Sequence, residues 1–289
     1  MYIKYINTEK TEVVLNNRPP FYITSLEGFD AVENIISSVA NYGQDGETVT
    51  GQRYAVRDLS IEGTITADSD KELQQLKREI TKAFVRDLAG TLYYSRHDKE
   101  YMIDVLIERA PKFIDTETNF AENYMIQLTA MNPYWMDTSF YDSLIPLSRV
   151  VNLFEFPLNI TENFEFATIS SGEIIEIENN GDTAVGAVFY MEFIGAVKNP
   201  RIYDVLTQEY FGFNGDFTPA DKFELSTEQG NKYAKKISSG VETNAMPDRM
   251  TGSTFLMLKK GINYLQVQAE SGVKMALVNV KFRPLVIGV

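Results

Sequence analysis

The sequence predicts a mainly β protein in two parts, an α+β half followed by an all-β half. Three observations carry this. Apolar and polar residues alternate with period two over 53–66 (RYAVRDLSIEGTIT) and 123–131 (NYMIQLTAM). A single helix pattern follows Ser69, and beyond about residue 152 turn residues recur every 8–12 positions, the spacing of a β-sandwich. At 289 residues the length fits two domains.

Taken in order, residues 31–39 (AVENIISSV) form one strand candidate and 53–66 the next, with a slip at Val56 to Leu59 that a bulge explains. Val56, Leu59, Ile61 and Ile65 are its apolar positions, and Arg57, Asp58, Ser60 and Glu62 are the polar ones. The intervening 40–52, with Gly43, Gly46 and Gly51, is read as a hairpin loop longer than a tight turn requires. Ser69 and Glu72 then make a capping box, and Leu73, Leu76, Ile80 and Phe84 place one apolar stripe on a helix that ends before Gly90. Strands resume at 91–95 and 101–109 around the polar turn RHDKE, and 123–131 closes the first domain, 1–137. Residues 138–152 are a linker. The second domain, 153–289, carries turn signals at 178–182 (ENNGD), 198–200 (KNP), 213–216 (FNGD) and 258–263 (LKKGIN).

Composition excludes several chemistries. The formal net charge of −13 disfavours nucleic-acid binding, which needs Lys and Arg on phosphates, and disfavours an anionic membrane surface. No apolar run approaches the roughly 18 residues of a membrane span, and the first residues do not read as a secretory leader. Zero cysteines remove disulfides, thiolate catalysis and cysteine-ligated metals.

The single histidine, His97, lies beside Asp98 in a charged turn, the opposite of the water-excluding site a Ser-His-Asp arrangement needs. Asp68 and Asp70 flank a helix N-terminus, where the dipole favours negative charge. Glu176 and Glu178 alternate along a strand and read as a solvated face. No phosphate loop, dinucleotide fingerprint or calcium loop occurs, and Asn159-Ile160-Thr161 is an incidental glycosylation triplet. No catalytic residue, cofactor or metal site is assigned. Trp135, with Tyr134 and Tyr141, is read as an aromatic cluster packed between domains.

Three stretches, taken in order along nearly the whole chain, resemble the distal tail protein family of siphophages. They are Gly51-Gln52-Arg53-Tyr54 leading into Arg57-Asp58-Leu59-Ser60-Ile61-Glu62-Gly63 with the helix after it; Ala130-Met131-Asn132-Pro133-Tyr134-Trp135; and Asn180-Gly181-Asp182, Asn199-Pro200-Arg201-Ile202 and 255–263 (FLMLKKGIN) in succession. The resemblance implies an N-terminal split-barrel-like domain related to tail-tube proteins, with one helix, and a C-terminal galectin-like β-sandwich. It also implies a structural, non-enzymatic role: a hexameric ring at the distal end of the virion tail, made in the bacterial host cytoplasm. Its partners would be the major tail tube protein, a tail-tip protein and receptor-binding or baseplate proteins, without membrane insertion or sequence-specific nucleic acid.

On this reading the long hairpin reaches a neighbouring subunit through Tyr42, Asp45, Glu47 and Thr48. Tyr203 and Tyr210 are candidates for a partner or glycan surface, with Phe211 and Phe213 at least partly core. The alternative function is a carbohydrate-binding module for host cell-wall glycans acting through the C-terminal sandwich.

Overall fold

The computed structural model describes residues 1–116, 120–140, 143–152, 167–170 and 172–289. Tyr141 and the Asn159 triplet lie outside the described residues. Contacts divide the chain into two units, Met1–Ser139 with Leu285–Val289, and Phe140–Pro284. The sequence reading gives everything from 153 onward to the second domain. In the structure the last five residues return to the first unit, because they pair with its backbone rather than with the sandwich strands that precede them.

The first unit comprises β1 (Tyr2–Asn7), β2 (Glu12–Asn16), β3 (Phe21–Glu27), β4 (Asn34–Val39), β5 (Thr48–Tyr54) and β6 (Arg57–Thr66). Helix α1 (Asp70–Ala83) follows, then β7 (Gly90–Arg96), β8 (Lys99–Asp115), β9 (Ala121–Ala130) and β10 (Trp135–Asp137). The order β8-β7-β1-β2-β3-β6-β9 closes when β9 pairs with β8, giving a seven-stranded barrel. Closure removes the free edges that an open sheet would present to water. Inward residues alternate along each strand, as in β6, where Leu59, Ile61 and Ile65 are buried. Gly63 holds the same inward phase; a Cβ there would stand 2.0 Å from the Tyr22 carbonyl oxygen and 2.3 Å from the Tyr124 ring.

Helix α1 packs its apolar stripe on this barrel. The Ser69 hydroxyl accepts the Glu72 backbone N–H (3.3 Å) as expected, while the Glu72 carboxylate reaches back to the N–H of Asp68 (2.9 Å), one residue before the N-cap. Leu73, Ile80 and Ala83 are buried. Polar ties fix the docking: Lys77 Nζ meets the buried Glu122 carboxylate at 2.8 Å, and Asn7 Nδ2 donates to the Ala83 carbonyl at 3.2 Å. Trp135 is wholly buried in the first unit's own core, with Phe29 and Tyr94 rings 5.3 and 6.2 Å away, and not in an interdomain cluster.

The second unit begins with β11 (Ile145–Pro146), β12 (Arg149–Asn152), β13 (Ala167–Ser170), β14 (Ile174–Asn179), β15 (Val185–Phe193), β16 (Val197–Lys198), β17 (Arg201–Asp204) and β18 (Tyr210–Gly212). It continues with β19 (Asp216–Phe217), β20 (Asp221–Ser226), β21 (Tyr233–Ser238), β22 (Val241–Asn244), β23 (Met257–Leu258), β24 (Gly261–Gln268) and β25 (Ala276–Phe282); β26 (Leu285–Val286) is back in the first unit. Two sheets, β11-β25-β15-β20-β21-β22 and β14-β24-β17-β18, form the sandwich. Phe213, following β18, stacks on Phe223 of β20 at 4.2 Å between ring centroids, and Phe223 in turn meets Phe217 edge-on at 4.9 Å. Phe211 and Phe213 are therefore core.

Turn chemistry explains the predicted breaks. Buried Asn263 closes the Gly-x-Asn turn: its Nδ2 donates to the Lys259 and Gly261 carbonyls at 2.8 and 3.0 Å, and its Oδ1 accepts the Lys259 N–H at 2.7 Å. Gly261 takes φ +88°, which a side chain would disfavour.

The barrel core carries a pH signature. Tyr5 stacks on Phe84 at 4.2 Å and is fully buried, which pushes its hydroxyl up to about 12. Burial raises Tyr124 in the same direction, its hydroxyl donating to the Tyr22 carbonyl at 3.0 Å. The unfolded chain releases these protons from about pH 10 while the folded state keeps them, so their contribution is complete below that pH and lost as pH rises through the folded values. Denaturant unfolding at pH 9 to 12 should show a midpoint that falls above pH 10, less steeply in Tyr5→Phe; a flat profile would contradict the assignment.

Candidate assembly surfaces

Strands β4 and β5 pair only with each other, as a two-stranded sheet apart from the barrel. Every residue from Ile36 to Arg53 is exposed, including Val39, Tyr42 and Val49. The expected loop over 40–52 is shorter than the sequence suggested. Thr48 to Gly51 are strand residues, with Thr50 the extra residue of a bulge between the Ser37–Gly51 and Ser38–Val49 pairs, so the loop is 40–47. Likewise 53–66 is not one strand: the chain leaves β5 after Tyr54 and enters the barrel at Arg57.

The arm's tip is organised by its own side chains. Gln44 Nε2 donates to the Thr48 hydroxyl (3.1 Å), Asn41 Nδ2 donates to the Gln44 side-chain oxygen (3.0 Å), and the Ser38 hydroxyl donates to Glu47. Tyr42 and Asp45 are exposed at the tip. The four residues named from sequence thus share one hairpin end. A two-stranded ribbon with no sheet beneath it is marginal in water, so its root must supply the order.

That root is built on Arg57, which the sequence reading counted among the strand's polar positions. The structure buries it to 1% exposure and leaves Val56 outside. The phase of the strand carries the signal: Arg57 shares the odd-numbered face with Leu59 and Ile61. Its donors all meet backbone carbonyls: Nε reaches Pro133 (2.7 Å), one terminal nitrogen reaches Gly28, Phe29 (3.4 Å) and Ala31 (3.3 Å), and the other reaches Ile287. Desolvation pulls its pKa below the ordinary value, with the Asp30 charge opposing. Gly28 is fixed by the same junction, at φ +82° and with the Asp58 carbonyl oxygen 1.9 Å from where a Cβ would stand. Around it, Tyr54 meets Tyr134 edge-on at 5.9 Å, the Ala55 N–H donates to Glu33 (2.9 Å), and the Val289 N–H donates to Phe29 (3.2 Å). The C-terminal strand β26 completes the clasp, with Trp135 opposite Val286.

On the sandwich, Tyr203 and Tyr210 are direct cross-strand partners on the outer face of β17 and β18. The Arg201 guanidinium lies over both rings, 5.9 and 5.2 Å from their centroids. The Tyr210 hydroxyl donates to the Thr251 carbonyl at 2.7 Å. These two predicted residues are brought together; Phe211 and Phe213 point to the core.

His97 and Asp98 form the exposed two-residue turn between β7 and β8, both with positive φ. Glu176 and Glu178 are exposed on alternate positions of β14. Among the described residues no group of three metal-ligating side chains converges, and no helix is long and apolar enough to cross a membrane.

Removing the Arg57 fork should loosen the arm's root. Arg57→Met leaves buried carbonyls without donors and should cost on the order of 1–3 kcal/mol per unsatisfied group. Arg57→Lys should recover only part, lacking the planar set of donors. Chemical denaturation of the two variants checks this; wild-type stability in Arg57→Met would refute it.

Comparison with known proteins agrees with this architecture. A family model described as a phage tail protein RIFT-related domain matches residues 8–130, and one described as the C-terminal domain of a siphovirus-type tail component matches 180–284. No curated protein sequence matches. Among solved structures, the Dit protein of phage SPP1, described as a paradigm of the hub adsorption apparatus in phages infecting Gram-positive bacteria, aligns with a TM-score of 0.70 at 11% identity over 98% of both chains. A chain of the phage P2 baseplate in its activated, calcium-bound conformation aligns with a TM-score of 0.51 at 12% identity, over 100% of this chain and 99% of that one. The carbohydrate-binding alternative is not favoured by these matches. With one tail-protein model on each unit, in order from residue 8 to residue 284, the chain belongs to the distal tail protein family of siphophages and is a structural tail component.

Proposed function

We propose that the chain closes into a six-membered ring at the distal end of the virion tail, joining the tail tube to the tail tip and its receptor-binding or baseplate proteins. The observation that carries this reading is the β4–β5 arm. Both of its outer edges have unpaired main-chain groups, and apolar side chains are exposed on it, Ile36 and Val49 on one face and Val39 on the other. A strand edge in this state is completed by adding a strand from another chain. Identical subunits that each donate an arm and receive one make head-to-tail contacts, which close into a ring when the rotation allows.

Tyr42, Asp45, Glu47 and Thr48 at the tip are the contact residues of this reading, and Tyr203 and Tyr210 belong to a face turned toward other tail proteins. The tail tube protein would stack on the barrel units. The role is structural and requires no cofactor. The SPP1 Dit likeness, with its hub description, supports the assignment without supplying the subunit number. Synthesis in the host cytoplasm fits a component that assembles before the phage is released.

Replacing residues 40–47 by an Asn-Gly turn should leave the thermal midpoint of the monomer within about 2 °C, since the arm adds little to the barrel core. Native mass spectrometry should show hexamers for the wild type and mainly monomers for the shortened protein at equal concentration. Hexamers that persist after the arm is removed would sink the reading.

A further inference from the structure

The outer face of the sheet β14-β24-β17-β18 holds a cavity of about 500 Å³ beside Arg201, with Gln266, Gln268, Glu270 and Met250 among its walls. Its polar groups are ordered by one another. Arg201 Nε donates to the Gln268 side-chain oxygen (2.9 Å), Gln268 Nε2 donates to Gln266 (2.6 Å), and Gln266 Nε2 donates to the Gly172 carbonyl (2.6 Å). Glu270 is held on the opposite side by Lys198 Nζ (2.6 Å) and Asn199 Nδ2 (2.5 Å). Both amide oxygens therefore already accept a hydrogen bond, and the Glu270 carboxylate is met by a cation. What stays open among the described residues is the pair of terminal guanidinium nitrogens of Arg201, steadied over the rings of Tyr203 and Tyr210.

The open charged donors are the guanidinium N–H groups, while the amide and carboxylate oxygens each already accept one hydrogen bond, an arrangement that favours an oxyanion over a neutral polyol. Lys198 meets Glu270 at 2.6 Å and also feels Asp216, so the cationic donors of this wall that remain unmatched are those of Arg201. Glu270 also sets the size of the anion's charge. A single negative charge is accommodated opposite the guanidinium, whereas a phosphate carrying nearly two is repelled by the carboxylate across the cavity. The planar guanidinium fork matches a carboxylate bidentately. Met250 and Val273 supply apolar wall against which an aliphatic stem can lie.

We propose that this cavity binds a carboxylate on a short aliphatic stem, the chemistry of a glutamate side chain in a docking protein segment or of a free short-chain acid. Its link to tail assembly rests on the reading of this face as partner-facing; the cavity's chemistry does not.

The test uses the full-length chain and calorimetric titration with three probes: glutarate, a blocked Gly-Gly-Glu-Gly-Gly peptide and its Gln counterpart. The Glu peptide should bind at least ten times more tightly than the Gln peptide, weakening as salt rises. Arg201→Gln, with its fold checked by an unchanged thermal midpoint, should erase the difference, and Arg201→Lys should retain only a small part of it. Glu270→Gln, which leaves the guanidinium in place, should admit inorganic phosphate that the wild type rejects. Binding of glutarate with no binding of the Glu peptide would uphold the carboxylate site and remove its docking role, leaving the arm-closed ring untouched. Equal binding of the Glu and Gln peptides with no glutarate binding, or discrimination that survives Arg201→Gln, would overturn the proposal.

Discussion

The first unit depends on where one guanidinium is placed. Arg57 begins a barrel strand with its side chain in the protein interior, where an unpaired charge would be costly. It is tolerated because carbonyls from three separate stretches converge on its donors: Gly28, Phe29 and Ala31 before the arm, Pro133 after β9, and Ile287 near the C-terminus. Losing it would orphan those carbonyls, which is the energetic side of its role. What it also supplies is geometry. A carbonyl pointing at a planar fork is constrained in direction as well as distance, so the entry and exit of the arm share one reference point with the C-terminal strand.

The same residue shows what was legible in the sequence and what was not. Period two located β6, and the capping box with its 3-and-4 spacing located α1 almost to the residue, because both are local patterns with local causes. The alternation also held the phase that buries Arg57. The apolar Val56 next to it suggested a slip in register, and a charged residue reads as solvent-facing unless its partners are known. Those partners are 26 to 230 residues away in sequence, beyond any window of local periodicity. The return of Leu285–Val289 escaped for a related reason: two residues of strand pairing leave no pattern, and only the long-range register with β10 defines them.

Local chemistry decided the arm in a different way. Its three glycines and acidic residues mark a break, and the sequence reading extended that break through Thr48–Thr50, where β-branched residues favour extended backbone. Exposure on both faces is what misleads, since a strand with neither face buried shows no hydrophobic alternation. On the sandwich, by contrast, Tyr203 and Tyr210 are candidates as aromatics that a binding face could use, and the structure sets them against buried Ile202 and Phe211. The role of Arg201 between them could not be read, because it depends on amides of β24 more than 60 residues further along.

A free ribbon is a liability as well as a device, and the arm's details address both. An exposed edge invites pairing with any extended chain. Here the bulge at Ser37 and Ser38 interrupts the ladder, and the acidic residues Asp45 and Glu47 sit at the tip, so two arms meeting end to end repel each other. A neighbour offering a fixed receiving surface faces neither obstacle. The barrel strands close on one another, and the sheet's open edge lies at β26, which pairs only with β10 among the described residues. On the proposed ring, order at the root through Arg57 limits the freedom the arm loses on docking, and preorganisation of this kind strengthens a marginal two-stranded contact. Barrel closure, the clasped root and the unpaired ribbon fit a single division, in which the first unit satisfies its own core and, on the proposed ring, leaves one element to be satisfied by a neighbour.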